Sequence, residues 1–575
     1  MKLTDVLAEI LLKNGVSHAF GLQGGGVVHI FDSLENRGIG VTYTHHEEAA
    51  ALAAVAHAKV TENIGCAVVT TGPGGTNAIT GLLAAWQDSI PCVFISGQVR
   101  SQHTSYGRKV RQVGTQEAPI CDIVRPITKY CKFVDDKSRF VDEMVHAIEI
   151  ARSGRPGPVW IDLPLDFHWS DIPFDADRIT PYRRPAAAIR DEGLARESLK
   201  MINEAERPLL VLGYGLRLAG RPSELDELVE GFGIPFVTTW TGADLFPTDH
   251  PGNLGIIGMS GQRGANRAAF NADLLVCLGT HLSIPHTTTL FDQYAPDAKK
   301  VIVNIDADQL ENLNVKFDLK VNEDVAAYLP WLVQQPVRKR NSSDLLQFKS
   351  ENWYEPKTEA LPNSNTFVHR LTEDGQGRTC LVVDGGGTAL YAGFQSSVLK
   401  KGDRVICSSA ISAMGTGLAE TVGVSKHPVF DRLICIIGDG SFLMNVQDLQ
   451  TIRQDDINVV IGVVNNNGYL AIRHTQREFL GGRYYGTHPD WNLKMPSIEK
   501  IANAFEIPYV RLDKASALET VVRDLGKATG PVICEVVVDE NQDVLFKQGY
   551  RDNGDGTFSP QPLSEMLPFL QTGTK

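Results

Sequence analysis

Residues 436–469 read IIGDGSFLMNVQDLQTIRQDDINVVIGVVNNNGY, and the fold is worked out from them. An isoleucine-rich run ends at Gly438-Asp439-Gly440-Ser441. A helical pattern follows, and a second apolar run ends at Asn465-Asn466-Asn467-Gly468. Short β-branched runs of this kind suit strands buried on both faces, and a helix between them makes the strands parallel. Both run ends then lie at the carboxyl edge of one sheet, where α/β folds bind ligands. There Asp439 offers a carboxylate oxygen and Asn466 an amide oxygen, and the flanking glycines let the backbone approach closely. This donor set suits Mg²⁺, which takes about six oxygens at roughly 2.0–2.1 Å and usually shares phosphates with its substrate. Taken alone, Asp-Gly-Ser is also an ordinary turn into a helix cap.

The same alternation runs outward along the chain: CAVVTT from Cys66, PVWIDLP from Pro158, PLLVLGYG from Pro208, DLLVCLG from Asp273, KVIVNID from Lys300 and VICEVVVDE from Val532. It predicts an α/β architecture of parallel sheets covered by helices. At roughly 100–200 residues per domain, 575 residues make three or four domains. Irregular, proline-bearing stretches near 170–190 and 335–365 separate the blocks. The expected limits are 1–170, 188–335 and 365–545, with an irregular tail over 546–575 packed on the surface or over a site. No block repeats another in sequence.

Hydrophobic residues make up 43% and charged residues 21%, which excludes disorder, collagen and coiled coil. The net charge of −13 argues against nucleic acid as a partner, while leaving room for one basic pocket. Nine cysteines are scattered without a C-x-x-C pair, as expected of buried reduced thiols in a cytoplasmic protein. The N-terminal MKLTDVLAEILLKNGV is amphipathic without a signal-peptide core, and no run of about 20 apolar residues predicts a membrane span.

GDG, 24 residues and then NN resembles the diphosphate-binding signature of thiamine-diphosphate enzymes. The resemblance implies that Asp439, Asn466 and the carbonyl of Gly468 hold Mg²⁺. It also implies that Gly440, Ser441, Gly386, Gly387 and Thr388 contact the cofactor. Near the N-terminus, TYTHHEEAAALAAVAHAKV places two glutamates at the start of an alanine-rich helix. By itself that is helix-dipole chemistry. It is similar, though, to the R/H-H-E-Q/E-A-A segment of the acetohydroxyacid (acetolactate) synthase branch. There the glutamate matching Glu47, not Glu48, bonds the aminopyrimidine and promotes loss of the thiazolium C2 proton. Thr71-Gly72-Pro73-Gly74-Gly75-Thr76-Asn77 and QDSIPCVFISGQV resemble the same branch, which places Pro73 and Asn77 beside the pyrimidine. Ser412-Ala413-Met414-Gly415 resembles G-T-M-G, whose methionine props the cofactor into its bent shape. The resemblance spans essentially the whole chain and implies three doubly wound parallel-sheet domains: pyrimidine-binding, central and diphosphate-binding.

It further implies a carboligase that decarboxylates pyruvate and transfers the two-carbon unit to a carbonyl acceptor. The assembly would be a homodimer or dimer of dimers, with each site at a subunit interface. Gln116 in GTQEAPICDIVRPITK matches a glutamine that approaches the reacting centre. Three departures bear on the acceptor. The family's acceptor-side tryptophan is Thr475 here, its G-A-R-F-D-D-R reads Gly279-Thr280-His281-Leu282-Ser283-Ile284-Pro285, and the phenylalanine preceding the Gln116 position is missing. Loss of those arginines weakens carboxylate recognition and makes flavin adenine dinucleotide (FAD) an optional cofactor only. IRxTQxxF resembles a side group of carboligases from sugar and lipopolysaccharide biosynthesis. In that reading Arg473, His474, Gln476 and Arg477 face a polar acceptor; the alternative is a solvated helix. Two other functions are weighed: a simple 2-keto-acid decarboxylase and a non-catalytic cofactor-binding relative.

Overall fold

The computed structural model describes residues 1–340, 343–356, 360–375, 377–555 and 557–569. Three six-stranded sheets, parallel throughout, carry the chain in succession. The first is built from β1 (His18–Gly21), β2 (Gly40–Tyr43), β3 (Gly65–Val69), β4 (Cys92–Gln98), β5 (Tyr130–Phe133) and β6 (Val159–Pro164), in the order 2-1-3-4-6-5. The second comprises β7 (Pro208–Leu212), β8 (Phe236–Thr238), β9 (Asn253–Ile256), β10 (Leu274–Leu278), β11 (Lys299–Val303) and β12 (Leu319–Val321), ordered 12-11-10-7-8-9. That is the doubly wound dinucleotide-fold order, with its switch point between β7 and β10. The third comprises β13 (Thr379–Val383), β14 (Arg404–Ile406), β15 (Arg432–Gly438), β16 (Val459–Asn465), β17 (Tyr509–Leu512) and β18 (Val532–Val537), ordered 14-13-15-16-18-17. Strand for strand this is the order of the first sheet, although the two blocks share no evident sequence repeat.

β15 and β16 pair in parallel from Leu433↔Val459 to Gly438↔Val464, so the GDG and NNNG turns leave the same edge side by side. The alanine-rich helix Glu47–Thr61 is buried around its whole circumference, as a helix apolar on all sides must be. Small residues let it pack backbone-close on the helix Thr416–Ser425 of the third block. A Cβ at Gly423 would stand 2.1 Å from the Ala53 carbonyl oxygen. Lys59 is buried in the same contact, where its ammonium meets Asp88 at 2.8 Å and the Cys407 carbonyl at 2.8 Å.

Eight of the nine cysteines are buried and all are free thiols. Burial pushes Cys66 up to about 12, which leaves it inert as a nucleophile. The tail departs from the irregular course expected for it. Lys547–Gln548 pairs antiparallel with Met566–Leu567, and Tyr550–Asp552 pairs with Phe558–Pro560. Leu545, Phe546 and Met566 form a small buried core against Trp353. Residues 570–575 of that tail lie outside the described residues. No helix among the described residues is long and apolar enough to cross a membrane.

Candidate active site

At the edge of the third sheet, Asp439 opens the short helix Asp439–Phe442 and is 2% exposed. One carboxylate oxygen accepts the Gly468 N–H at 2.8 Å and the other the Gly440 N–H at 3.0 Å. Burial pushes its carboxyl up to about 7 despite these donors, so the pocket favours whatever further positive charge can reach it. Asn466 donates through Nδ2 to Thr388 Oγ1 at 3.2 Å. Its Oδ1 is buried and has no hydrogen-bond partner. A buried acceptor left unmade costs about 1–3 kcal/mol, and here it lies on the turn whose Gly468 N–H binds the Asp439 carboxylate. Gly468 itself adopts φ +137°, and a Cβ there would stand 2.3 Å from the Thr487 carbonyl oxygen.

Asp384, which follows β13, gathers the remaining segments. It is fully buried and accepts the N–H groups of Gly415 at 3.0 Å, Gly417 at 3.1 Å and Gly386 at 3.2 Å. The Ser441 hydroxyl also hydrogen-bonds it, and burial pushes its carboxyl up to about 6. One side chain thus holds together Gly386–Thr388, Met414–Gly415 and Gly440–Ser441. Met414 packs on Gly386, where a Cβ would lie 2.4 Å from its Cγ. Sequence reasoning passed over Asp384; the available signal was an aspartate before three glycines at a strand end.

At the edge of the first sheet, Glu47 begins its helix at 7% exposure and accepts Asn77 Nδ2 at 3.0 Å. Pro73 and Gly74 open the short helix Pro73–Asn77 beside it, and a Cβ on Gly74 would lie 3.4 Å from Glu47 Oε1. Glu48 turns the other way. Its charge, after burial, helps push Asp448 of the third block up to about 8. Gln116 is held at φ +62°, with its carbonyl oxygen 1.9 Å from where a Gly72 Cβ would be. Only glycine fits at 72 for that reason. Glu117, also passed over, shapes this loop by accepting the N–H groups of Ser105 at 2.9 Å and Val113 at 3.1 Å.

Among the described residues no hydrogen bond or ion pair joins Glu47, Asn77 or Gln116 to Asp439, Asn466 or Met414. Within one chain these residues form two separate groups, one at the edge of the first sheet and one at the edge of the third.

The helix Leu470–Phe479 corrects one expectation. Arg473 points inward at 3% exposure and donates to the carbonyls of Asn466 at 2.7 Å, Asn467 at 3.2 Å, Thr487 at 2.9 Å and Glu540 at 2.9 Å. Gln476 is likewise buried, bonding the Thr487 hydroxyl at 2.6 Å and the Tyr485 carbonyl at 3.1 Å. Neither is free to face an acceptor, because the loops flanking the helix bring carbonyls that need donors. Arg477 pairs with Asp543 at 3.2 Å and His474 approaches it at 3.9 Å, while Thr475 is exposed.

A cavity of about 990 Å³ opens at the switch point of the central sheet, lined by Tyr214, Thr280, His281, Asn304, Asp306 and Arg155 among others. Three of its four Lys and Arg cations meet carboxylates: Arg155 with Asp306 at 3.0 Å, Lys59 with Asp88 at 2.8 Å, and Arg184 with Asp324; the fourth, Lys129, donates to the Ile150 and Ser153 carbonyls. His281, at the position of a family arginine, is pushed down to about 4 by burial and is neutral at pH 7.

Comparison with known proteins agrees with this architecture. Residues 1–123 match the N-terminal TPP-binding domain of thiamine pyrophosphate enzymes, 195–332 their central domain and 385–536 their C-terminal TPP-binding domain. Three such domains in this order define a thiamine-diphosphate enzyme. Acetolactate synthase of Arthrospira platensis is 31% identical, over 93% of this chain and 94% of its own length. Acetolactate synthase isozyme 2 large subunit of Escherichia coli K12 is 29% identical, over 94% and 96%. Chloroplastic acetolactate synthase 1 of Oryza sativa subsp. japonica is 31% identical, over 94% and 85%. The chain belongs to the acetolactate synthase-like family of thiamine-diphosphate enzymes.

Proposed function

We propose that this protein decarboxylates pyruvate and transfers the resulting two-carbon unit to a carbonyl acceptor, in a cytoplasmic homodimer or dimer of dimers. The observation that carries the reading is the orphaned, buried Asn466 Oδ1 on the turn bonded to the Asp439 carboxylate. Those residues fit a hard divalent cation. In this reading Asp439, Asn466 and the Gly468 carbonyl hold Mg²⁺. Gly386, Gly387, Thr388, Gly440 and Ser441 receive the diphosphate, and Met414 supports the ring system. Thiamine diphosphate, when bound, supplies the electron sink for decarboxylation. Glu47, kept in orientation by Asn77, holds and moves a proton at the aminopyrimidine. Pro73 lines that ring and Gln116 approaches the substrate. Because no hydrogen bond or ion pair joins Glu47 to its own chain's Asp439, we assign each complete site to two subunits. The domain limits are 1–170, 188–335 and 365–545, with the tail 546–575 beyond.

The names of the relatives favour carboligation over simple decarboxylation, and intact Glu47, Asp439 and Asn466 speak against a non-catalytic relative. The cavity matches a flavin dinucleotide in size. It matches the diphosphate charge poorly, since three of its four Lys and Arg cations already face carboxylates, Lys129 is tied to carbonyls, and His281 is neutral. FAD therefore fits poorly and no step runs through it. Visible absorption of the purified protein tests this directly. Supplying pyruvate with a panel of ketones, aldehydes and keto sugars, and identifying products by mass, tests the main reading. Ligated products support it; acetaldehyde alone under every acceptor overturns it in favour of a decarboxylase.

A further inference from the structure

Arg473 is a buried guanidinium without a carboxylate partner. Among the described residues its hydrogen bonds go only to carbonyl oxygens, those of Asn466, Asn467, Thr487 and Glu540, and its Nε has no partner. Burying a charge on carbonyls alone is an expensive arrangement. Its sign is also unfavourable, because a fixed cation beside Asp439 repels any metal that Asp439 would hold. The Glu540 and Asp439 carboxylates attract the guanidinium, but its hydrogen bonds run to main-chain carbonyls, so the carbonyl geometry sets its place. The four carbonyls come from three separate segments: the turn after β16, the loop at Thr487 and the chain following β18. A planar fork of five N–H donors can satisfy them at once. With its two main-chain carbonyls drawn to the guanidinium, the turn keeps Asn466 Oδ1 without a protein partner. Asn467 adds a parallel tie through Nδ2 to Glu540 Oε1 at 2.7 Å.

We propose that Arg473 is the positioning residue of the metal-binding turn: it fixes the backbone of Asn466–Gly468 in the conformation that presents oxygens to the cation. This rests on the Mg²⁺ reading given above. Groups that orient metal ligands from behind typically change metal affinity about 10–100-fold when altered.

The test is Mn²⁺ binding to the full-length protein with thiamine diphosphate, followed by electron paramagnetic resonance, together with the Mg²⁺ concentration giving half-maximal turnover. Wild type, Arg473→Lys, Arg473→Ala and Asp439→Ala are compared. Arg473→Lys should weaken Mn²⁺ binding roughly 10-fold or more, and excess Mg²⁺ should restore its turnover. A residue that merely supports the fold would lose turnover that Mg²⁺ does not restore. Should Arg473→Ala fail to fold, Arg473→Lys alone decides. Unchanged Mn²⁺ affinity in Arg473→Lys, with Asp439→Ala abolishing binding, overturns the role of Arg473 and leaves the metal site standing. Undiminished binding in Asp439→Ala overturns the metal site, and the role of Arg473 with it.

Discussion

The Asn77 side-chain amide donates to the carboxylate of Glu47 at 3.0 Å, across the gap between a helix start and the turn after β3. The contact ties down one carboxylate oxygen of a residue that is 7% exposed. Replacing Glu47 by Gln keeps the size and removes the acid–base function. Activity should fall by about two to four orders of magnitude, as for loss of a positioned acid–base group. Steady-state turnover of pyruvate measures this, and a fall under about tenfold contradicts the assignment. Glu48→Gln should lose far less, since the Asn77 amide bonds Glu47 while the charge of Glu48 acts on Asp448 of the third block.

Removing divalent cations should release the cofactor. Asn466 Oδ1 has no protein partner and the Asp439 carboxylate is bonded by backbone N–H groups, so the diphosphate would lose its main counter-charge. Dialysis against EDTA followed by cofactor quantitation checks this. Stoichiometric retention would rule out Asp439 and Asn466 as ligands.

Asp384 accepts the N–H groups of Gly386, Gly415 and Gly417 at 3.0–3.2 Å and the Ser441 hydroxyl, and so joins three glycine-bearing segments. Asp384→Asn replaces one accepting oxygen with an amide that donates, leaving at least one buried N–H unpaired. The expected loss is about 1–3 kcal/mol of stability, with weaker cofactor affinity. Urea melts and cofactor titration read the two effects. If neither moves, these hydrogen bonds do not hold the cradle together.

Glu420 is fully buried beside Lys59 and Ser408, and burial pushes its carboxyl from 4.5 up to about 7. A carboxyl with a raised pKa holds its proton more tightly when folded than when unfolded. Its stabilising effect is therefore present at low pH and is lost as pH rises from about 4.5 through about 7. Relative to Glu420→Gln, the wild-type protein should lose up to about 3 kcal/mol across that window. Paired denaturant melts at several pH values measure the difference, and a flat difference refutes it.

Gly423→Ala should loosen the contact between the first and third blocks. The new Cβ would meet the Ala53 carbonyl 2.1 Å away, where backbone and not a flexible side chain must yield. Overpacking of this kind costs about 1–3 kcal/mol. A lowered urea midpoint is expected, and an unchanged one would mean that the helices separate freely.

The strands and their parallel sense were legible in the chain, as were the two residue groups proposed for the site, because each depends on neighbours in sequence. β-Branched runs mark buried strands, and an Asp or Asn beside glycine at a run's end marks a ligand edge. Glu47 could be told from Glu48 only by likeness to a family. The structure then gave the physical difference, one residue turned to Asn77 and the other to Asp448. Which face of the helix Leu470–Phe479 lies inward was not legible. Arg473 and Gln476 look as polar as Arg477, and the carbonyls that draw them in come from segments up to 67 residues away. Asp384 was missed for the same reason, since its three N–H donors converge only when the loops fold over it. The common strand order of the first and third sheets is also a tertiary fact. Strand order follows from which helices pack on which faces, and many unrelated sequences satisfy the same packing.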